Sequence, residues 1–193
     1  MDFIKISEFI GLGGFILWAL QERGFYFLKQ QQRESHNVDR SSYWLISLFW
    51  YGTMIFSILD VWSWEWTTLK AGPLSLRIAG IILIISGIII RFLARRTLGK
   101  QYSVHVETSN KHELITTGIF NKIRHPAYLG LLFLLLGIPL ALGSAGGILI
   151  ATIGGIPAVI YRIRIEEKYL TKWFGKQYVD YQQNTWKLIP YLW

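Results

Sequence analysis

Long apolar segments separated by short polar ones dominate the chain. The first three occupy residues 9–28, 43–64 and 76–93, and the second of them has Trp and Tyr near both ends. A helix needs about 20 mostly apolar residues to cross about 30 Å of hydrocarbon, and such aromatic side chains sit at membrane–water interfaces. The pattern therefore predicts three membrane-spanning helices in the first half of the chain.

The fourth apolar region, residues 127–161, is too long for one crossing. It contains no charged residue, and a straight helix of that length would extend about 52 Å. The cluster Gly143-Ser144-Ala145-Gly146-Gly147 favours a turn inside it. We therefore expect a helical hairpin with spans at residues 126–142 and 147–165, which makes the fold an all-α, multi-pass transmembrane protein with five spans.

The distribution of charge predicts which side each loop occupies. Lysine and arginine are concentrated in three segments, at residues 29–40, 95–124 and 162–187. With five spans these segments share one side, which the positive-inside rule makes cytoplasmic, leaving the N-terminus outside. We accordingly expect a single domain, residues 1–193, in the cell membrane, with a cytoplasmic connector at 99–125 and a cytoplasmic tail at 166–193.

Composition argues against several classes of function. Hydrophobic residues make up 52% of the chain and aromatic residues 16%, which is more than a soluble domain needs. The net charge of +8 is divided into short clusters rather than spread along one face, so nucleic acid is not an expected partner. The chain has no cysteine, and its histidine spacings differ from those of compact zinc motifs, so no metal site is expected.

Two polar regions contain the candidate chemistry. The connector at 99–125 is long for so compact a chain, and long ordered loops are often functional, although a solvated linker with inactive histidines is the alternative. The arms of the hairpin are short in apolar residues, so we expect the last helix to continue through Arg162, Arg164, Glu166 and Glu167. Arg162 and Glu166 are four residues apart and then share one face of that helix. Charged side chains at membrane depth normally face protein or a wet cavity, but a plain ion pair at a solvated helix end is also open.

Three ordered motifs resemble those of isoprenylcysteine carboxyl methyltransferases and their phospholipid methyltransferase relatives. The run Arg124-His125-Pro126-Ala127-Tyr128-Leu129-Gly130 is similar to the signature R-H-P-x-Y-x-G. Residues 112–120, His-Glu-Leu-Ile-Thr-Thr-Gly-Ile-Phe, resemble the element H-x-L-x-T-x-G-x-[FY]. Residues 166–170 and 174–178 resemble E-E-x-x-L and F-G-x-x-Y.

The resemblance implies a pocket for S-adenosylmethionine, with S-adenosylhomocysteine as product, formed by the connector and the last two spans. The cofactor contacts that it implies are His105, His112, Glu113, Leu114, Ile115, Phe120, Arg124, His125, Pro126, Ala127, Tyr128, Glu166 and Glu167. Because Glu166 and Glu167 are adjacent, either one matches the family's cofactor-binding glutamate. Arg162 matches the arginine assigned to the substrate, where it would orient a carboxylate.

The resemblance further implies methyl transfer to the carboxylate of a prenylated, cysteine-like substrate in the lipid bilayer. A carboxylate is already an anion, so this reaction needs placement and partial removal of water rather than a general base. Two alternatives stay open, a phospholipid N-methyltransferase and a non-enzymatic small membrane carrier in which the motifs are only structural. Lys187 stands where related tails often have arginine, which leaves the acceptor undetermined.

Overall fold

Helices dominate the computed structural model, which describes residues 3–29, 36–37, 41–70, 72–99, 107–108, 114–191 and 193. They are α1 (Phe3–Lys29), α2 (Ser41–Leu59), α3 (Leu74–Leu98), α4 (Pro126–Leu142), α5 (Ala145–Ile150), α6 (Ile156–Phe174) and α7 (Lys176–Gln183). A π-helical turn, Asp60–Trp64, extends α2, and another, Ala151–Gly155, joins α5 to α6. The strands of the described part are β1 (His36–Asn37) and β2 (Glu107–Thr108), paired antiparallel. Apart from this short pair, the predicted all-α class is confirmed.

The long helices have the length and composition of membrane spans. Within the described ranges, four stretches are long and apolar enough to cross a membrane: Phe3–Leu20, Ser41–Trp64, Leu74–Leu98 and Ala145–Phe174. The helix α4 is also apolar but shorter, with 17 residues. The outward face of α3 exposes Ile78, Ile82, Ile85 and Ile89. Such a continuous apolar face suits lipid, so the chain is a multi-pass membrane protein, and the crossing by α4 stays a prediction.

The predicted break in the fourth apolar region is confirmed. The helix α4 ends at Leu142, and Gly143 adopts a left-handed backbone conformation with φ +80°, which glycine tolerates. Ser144 then caps α5, because its Oγ accepts a hydrogen bond of 3.1 Å from the N–H of Gly147. The two apolar arms therefore form the expected hairpin.

The last long helix reaches further than the predicted span. The helix α6 continues past residue 165 to Phe174, where Gly175, with φ +54°, separates it from α7. Glu166 and Glu167 are thus helical, which confirms that the last helix continues through these charged residues. Because neighbouring residues of an α-helix are rotated by about 100°, the two carboxylates point in different directions.

The helix α4 forms the centre of the fold. It packs against α1, α2, α3 and α6. Its fully buried side chains include Leu134, Leu135 and Ile138. It lies so close to α3 that a Cβ added to Gly87 would be 2.8 Å from the carbonyl O of Gly130, and one added to Gly80 would be 2.7 Å from that of Gly137. Small residues allow such close approach of two helices, so α3 fixes the position of α4 and of the R-H-P motif at its start.

A polar cluster closes the end of the helices away from the R-H-P motif. Asp60 is fully buried and accepts hydrogen bonds from the N–H and the hydroxyl of Thr67, at 2.8 and 2.7 Å. The hydroxyl of Ser144 donates to the same carboxylate at 2.6 Å. A buried carboxylate is tolerated only with such partners, so the cluster ties the end of α2 to the hairpin turn.

Candidate active site

The chain's C-terminal segment lies alongside the start of α4. The backbone N–H of Arg124 donates to the carbonyl of Trp186 at 2.8 Å, and that of His125 donates to the carbonyl of Lys187 at 3.1 Å. Ile123 and Trp186 form a parallel bridge, in which the N–H of Trp186 donates to the carbonyl of Lys122 at 2.9 Å. These bonds bring the tail's Lys187 next to the R-H-P motif.

Glu167 is the centre of an ionic cluster at this junction. Its carboxylate lies 3.1 Å from Nε of Arg124, 2.8 Å from Nζ of Lys187 and 3.3 Å from Nε2 of His125. Glu167 is buried, with 8% of its surface exposed. Arg124 also donates to the carbonyl of Gln182 at 2.9 Å. One carboxylate on α6 therefore joins the segment before α4 to the tail after α7.

Glu166 has a different environment, although it is the adjacent residue. Its Oε2 accepts a hydrogen bond of 2.7 Å from the hydroxyl of Tyr128, and its Oε1 lies 4.0 Å from Nδ1 of His125. Its side chain is 27% exposed, against 11% for that of Glu167. Glu166 is thus the more exposed of the two carboxylates.

Arg162 joins the other side of the Tyr128 hydroxyl. Its Nε donates to that oxygen at 3.2 Å, and its Nη1 donates to the hydroxyl of Ser42 at 2.7 Å. Arg162 is almost fully buried, with 2% of its surface exposed. Ser42, Arg162, Tyr128 and Glu166 therefore form one continuous chain of hydrogen bonds across α2, α6 and α4.

The turn before the R-H-P motif is attached to α7. Phe120 is buried in the 3-10 turn Gly118–Asn121, and its carbonyl accepts a hydrogen bond of 2.6 Å from the hydroxyl of Tyr181. Burial raises the pKa of Tyr181 to about 12, so this hydroxyl stays protonated and can donate at neutral pH. Burial, together with the charges of Glu167 and Glu166, likewise raises the pKa of the neighbouring Tyr178.

The structure brings many, but not all, of the predicted site residues together. Arg124, His125, Tyr128, Arg162, Glu166 and Glu167 meet in the two networks described above. Pro126 and Ala127 form the first turn of α4, where the carbonyl of Ala127 accepts from Arg91 at 3.1 Å. Leu114 and Ile115 are half-buried in the segment before the 3-10 turn. His105, His112 and Glu113 lie outside the described residues.

Lys187, Tyr181 and Ser42 take part in these contacts and Tyr178 is buried beside them, but none of the four was predicted as a site residue from the sequence. Tyr178 belongs to the F-G-x-x-Y pattern, so the motif itself was a signal for it. Tyr181 lies one helical turn further along α7, on the same face. Ser42 had no signal, because it is an isolated serine in a distant apolar segment.

Comparison with known proteins identifies relatives of this chain. The protein-S-isoprenylcysteine O-methyltransferase of Saccharomyces cerevisiae is 32% identical over 60% of this chain and 49% of the relative. The enzyme of that name from Dictyostelium discoideum is 32% identical over 71% of this chain and 59% of the relative. The chain thus spans about half the length of the curated relatives that it matches.

A solved structure and a family model also match this chain. The structure of the eukaryotic intramembrane Ras methyltransferase, isoprenylcysteine carboxyl methyltransferase, superposes with a TM-score of 0.60 at 27% identity. The match covers 80% of this chain and 55% of that one. The model of the phospholipid methyltransferase family matches residues 76–177, which contain the three motifs apart from their final residue, Tyr178. The chain belongs to the phospholipid methyltransferase family.

Proposed function

We propose that this protein uses S-adenosylmethionine to methylate the carboxylate of a prenylated, cysteine-like substrate held in the membrane. The observation that carries the proposal is the hydroxyl of Tyr128, which contacts both Arg162 and Glu166, at 3.2 and 2.7 Å. Arg162, a cation suited to an acceptor carboxylate, and Glu166, an anion suited to the positively charged part of the cofactor, thus share one hydrogen-bond partner. The names of the relatives support the same reaction.

The residues on the cofactor side fit S-adenosylmethionine. Glu166 presents a partly exposed carboxylate held in place by Tyr128, as the amino group of the cofactor's methionine part would require. The aromatic rings of Phe120 and Tyr128 suit its adenine and sulfonium groups. Glu167 and Arg124 are engaged with each other and with Lys187, so we assign them to holding the pocket together rather than to contacting the ligand. When bound, the cofactor supplies a methyl group on a sulfonium sulfur, whose transfer to a carboxylate leaves a neutral ester and a neutral thioether.

Arg162 is the residue for the acceptor. Its guanidinium is a planar fork that binds a carboxylate through two parallel hydrogen bonds, and so fixes the direction of the attacking oxygen. The reaction neutralises charge, so burial of Arg162 among the helices favours it by excluding water. Neither step requires a proton to move, and we assign no general base.

The proposed placement in the membrane follows the distribution of charge. The site lies at the start of α4 and in the middle of α6, next to Arg124, Lys168 and Lys187. The positive-inside rule then puts the site on the cytoplasmic side of the cell membrane, with α4 as the remaining crossing and the whole chain acting as one domain.

A second candidate is methylation of a phospholipid amine, which the name of the family model favours. That reaction converts an amine to a group with lasting positive charge, and a buried arginine beside the acceptor would oppose it. Arg162 therefore favours the carboxylate as acceptor.

The test is methyl transfer by the purified protein in lipid nanodiscs, with radiolabelled S-adenosylmethionine and two acceptors, a farnesylcysteine analogue and phosphatidylethanolamine. We expect a base-labile methyl ester on the farnesylcysteine analogue, formed much more slowly by Arg162→Ala and at the wild-type rate by Arg164→Ala. Arg164 is the matched control, because it is an exposed arginine on the same helix. Labelled phospholipid instead of ester would establish the second candidate, and no transfer to either acceptor by folded protein would refute both.

A further inference from the structure

Ser42 is an unexpected member of the site. It lies in the first turn of α2, well outside the residues 76–177 that match the family model. It is fully buried, and its hydroxyl accepts the hydrogen bond of 2.7 Å from Nη1 of Arg162. The contact therefore joins the part of the chain outside the family match to the proposed acceptor residue.

This contact constrains Arg162 in a way that Tyr128 alone does not. Tyr128 holds Nε, close to the aliphatic stem, whereas Ser42 holds a terminal nitrogen at the far end of the guanidinium. Because the guanidinium is planar and rigid, two contacts at different nitrogens restrict its rotation. An acceptor carboxylate that binds it in two parallel hydrogen bonds takes its own orientation from that plane.

We propose that Ser42 is a positioning residue, which orients the guanidinium of Arg162 so that the acceptor carboxylate is presented correctly for methyl transfer. The inference rests on the proposed function and extends it: α2 contributes to acceptor recognition and does not merely brace the other helices. Small errors in the placement of reacting groups reduce rates by about 100-fold. Loss of one hydrogen bond to a charged group corresponds to about 10-fold or more.

The experiment compares Ser42→Ala with Ser57→Ala. Ser57 is the matched control, since it is also a fully buried serine of α2, and its hydroxyl donates to the carbonyl of Thr53 at 2.7 Å. We expect Ser42→Ala to lower kcat/KM for a farnesylcysteine analogue by about 10–100-fold and to weaken binding of that analogue measured by calorimetry. Affinity for S-adenosylhomocysteine should stay within about twofold of the wild type, since α2 contacts the acceptor side of the network. Ser57→Ala should behave as the wild type.

A double-mutant cycle separates positioning from a general loss of structure. If Ser42 acts through Arg162, then Ser42→Ala should cause no further loss of kcat/KM in the Arg162→Ala background, whereas independent structural damage would add. Wild-type kinetics in Ser42→Ala, additive losses, or an equal loss of S-adenosylhomocysteine binding would each overturn the positioning role. Absence of carboxylate methylation by the wild type would overturn the proposed function as well, which distinguishes the two failures.

Discussion

The two adjacent glutamates should respond in opposite ways to the same substitution. In Glu167→Gln, the charges of Arg124 and Lys187 and the ring nitrogen of His125 lose the carboxylate that they share, at 2.8 to 3.3 Å. Removing one partner of a buried ionic cluster costs about 3–5 kcal/mol. The lower end applies here, because the side chain of Lys187 is 20% exposed. For a chain of this size, about 3 kcal/mol corresponds to a fall in Tm of about 6–12 °C.

Glu166→Gln should spare stability and weaken the ligand instead. The amide can still accept the hydrogen bond from Tyr128, and the side chain is 27% exposed, so we expect little change in Tm. A charged hydrogen bond to the amino group of the cofactor is worth about 1.5–3 kcal/mol, which corresponds to about 10–150-fold in affinity. The loss should appear in S-adenosylhomocysteine binding.

Calorimetric titration with S-adenosylhomocysteine and thermal unfolding, both in detergent, measure the two effects on the same samples. The reasoning predicts that Glu166→Gln binds weakly and melts normally, and that Glu167→Gln melts early but binds at temperatures where it is folded. The reverse pattern would show that Glu167 contacts the cofactor and would refute our assignment of the two residues.

Three further substitutions test the packing that supports the site. Gly80→Ala should destabilise the protein by about 1–3 kcal/mol, because its Cβ would lie 2.5 Å from the backbone N of Ala141. Gly52→Ala is the control and should leave stability unchanged, since the space around its Cβ is open. Equal Tm values for the two variants would contradict the close packing of α3 on α4. Asp60→Ala should cost at least about 3 kcal/mol through the loss of three hydrogen bonds to a carboxylate, and an unchanged denaturation midpoint would argue against that cluster. Tyr181→Phe removes the hydrogen bond to the carbonyl of Phe120, so it should lower Tm only slightly and raise the Kd for S-adenosylhomocysteine. A changed Tm with an unchanged Kd would place the turn that contains Phe120 outside the pocket.

Much of the fold could be predicted because its determinants are local. The apolar segments give the positions of the long helices, and a run of small residues inside an uncharged stretch predicts a turn, which Gly143 and Ser144 provide. The continuation of α6 through Arg162, Glu166 and Glu167 was also predictable, because each arm of the hairpin is short in purely apolar residues. The partners of the two glutamates, Tyr128 and Arg124, come from other elements and are not visible from local sequence.

The site shows the same division between local and distant information. The four-residue spacing predicts that Arg162 and Glu166 share a face of α6, but the motif does not distinguish Glu166 from Glu167. What distinguishes Glu166 from Glu167 is the pairing of the tail with the segment before α4, which delivers Lys187 to one carboxylate and leaves the other exposed. That pairing depends on backbone hydrogen bonds between segments far apart in sequence, for which no residue pattern is required.

Ser42 extends this argument to the part of the chain that the family model does not cover. A guanidinium buried among apolar helices must find hydrogen-bond partners, and the fold supplies them as hydroxyls from α2 and α4. Arg162 is 120 residues from Ser42, so only the packing of α2 against α6 brings them together. The proposed cofactor residues Tyr128 and Glu166 lie within the family match, whereas the proposed acceptor residue Arg162 is held partly from outside it. Differences in acceptor between relatives should therefore be sought in α2.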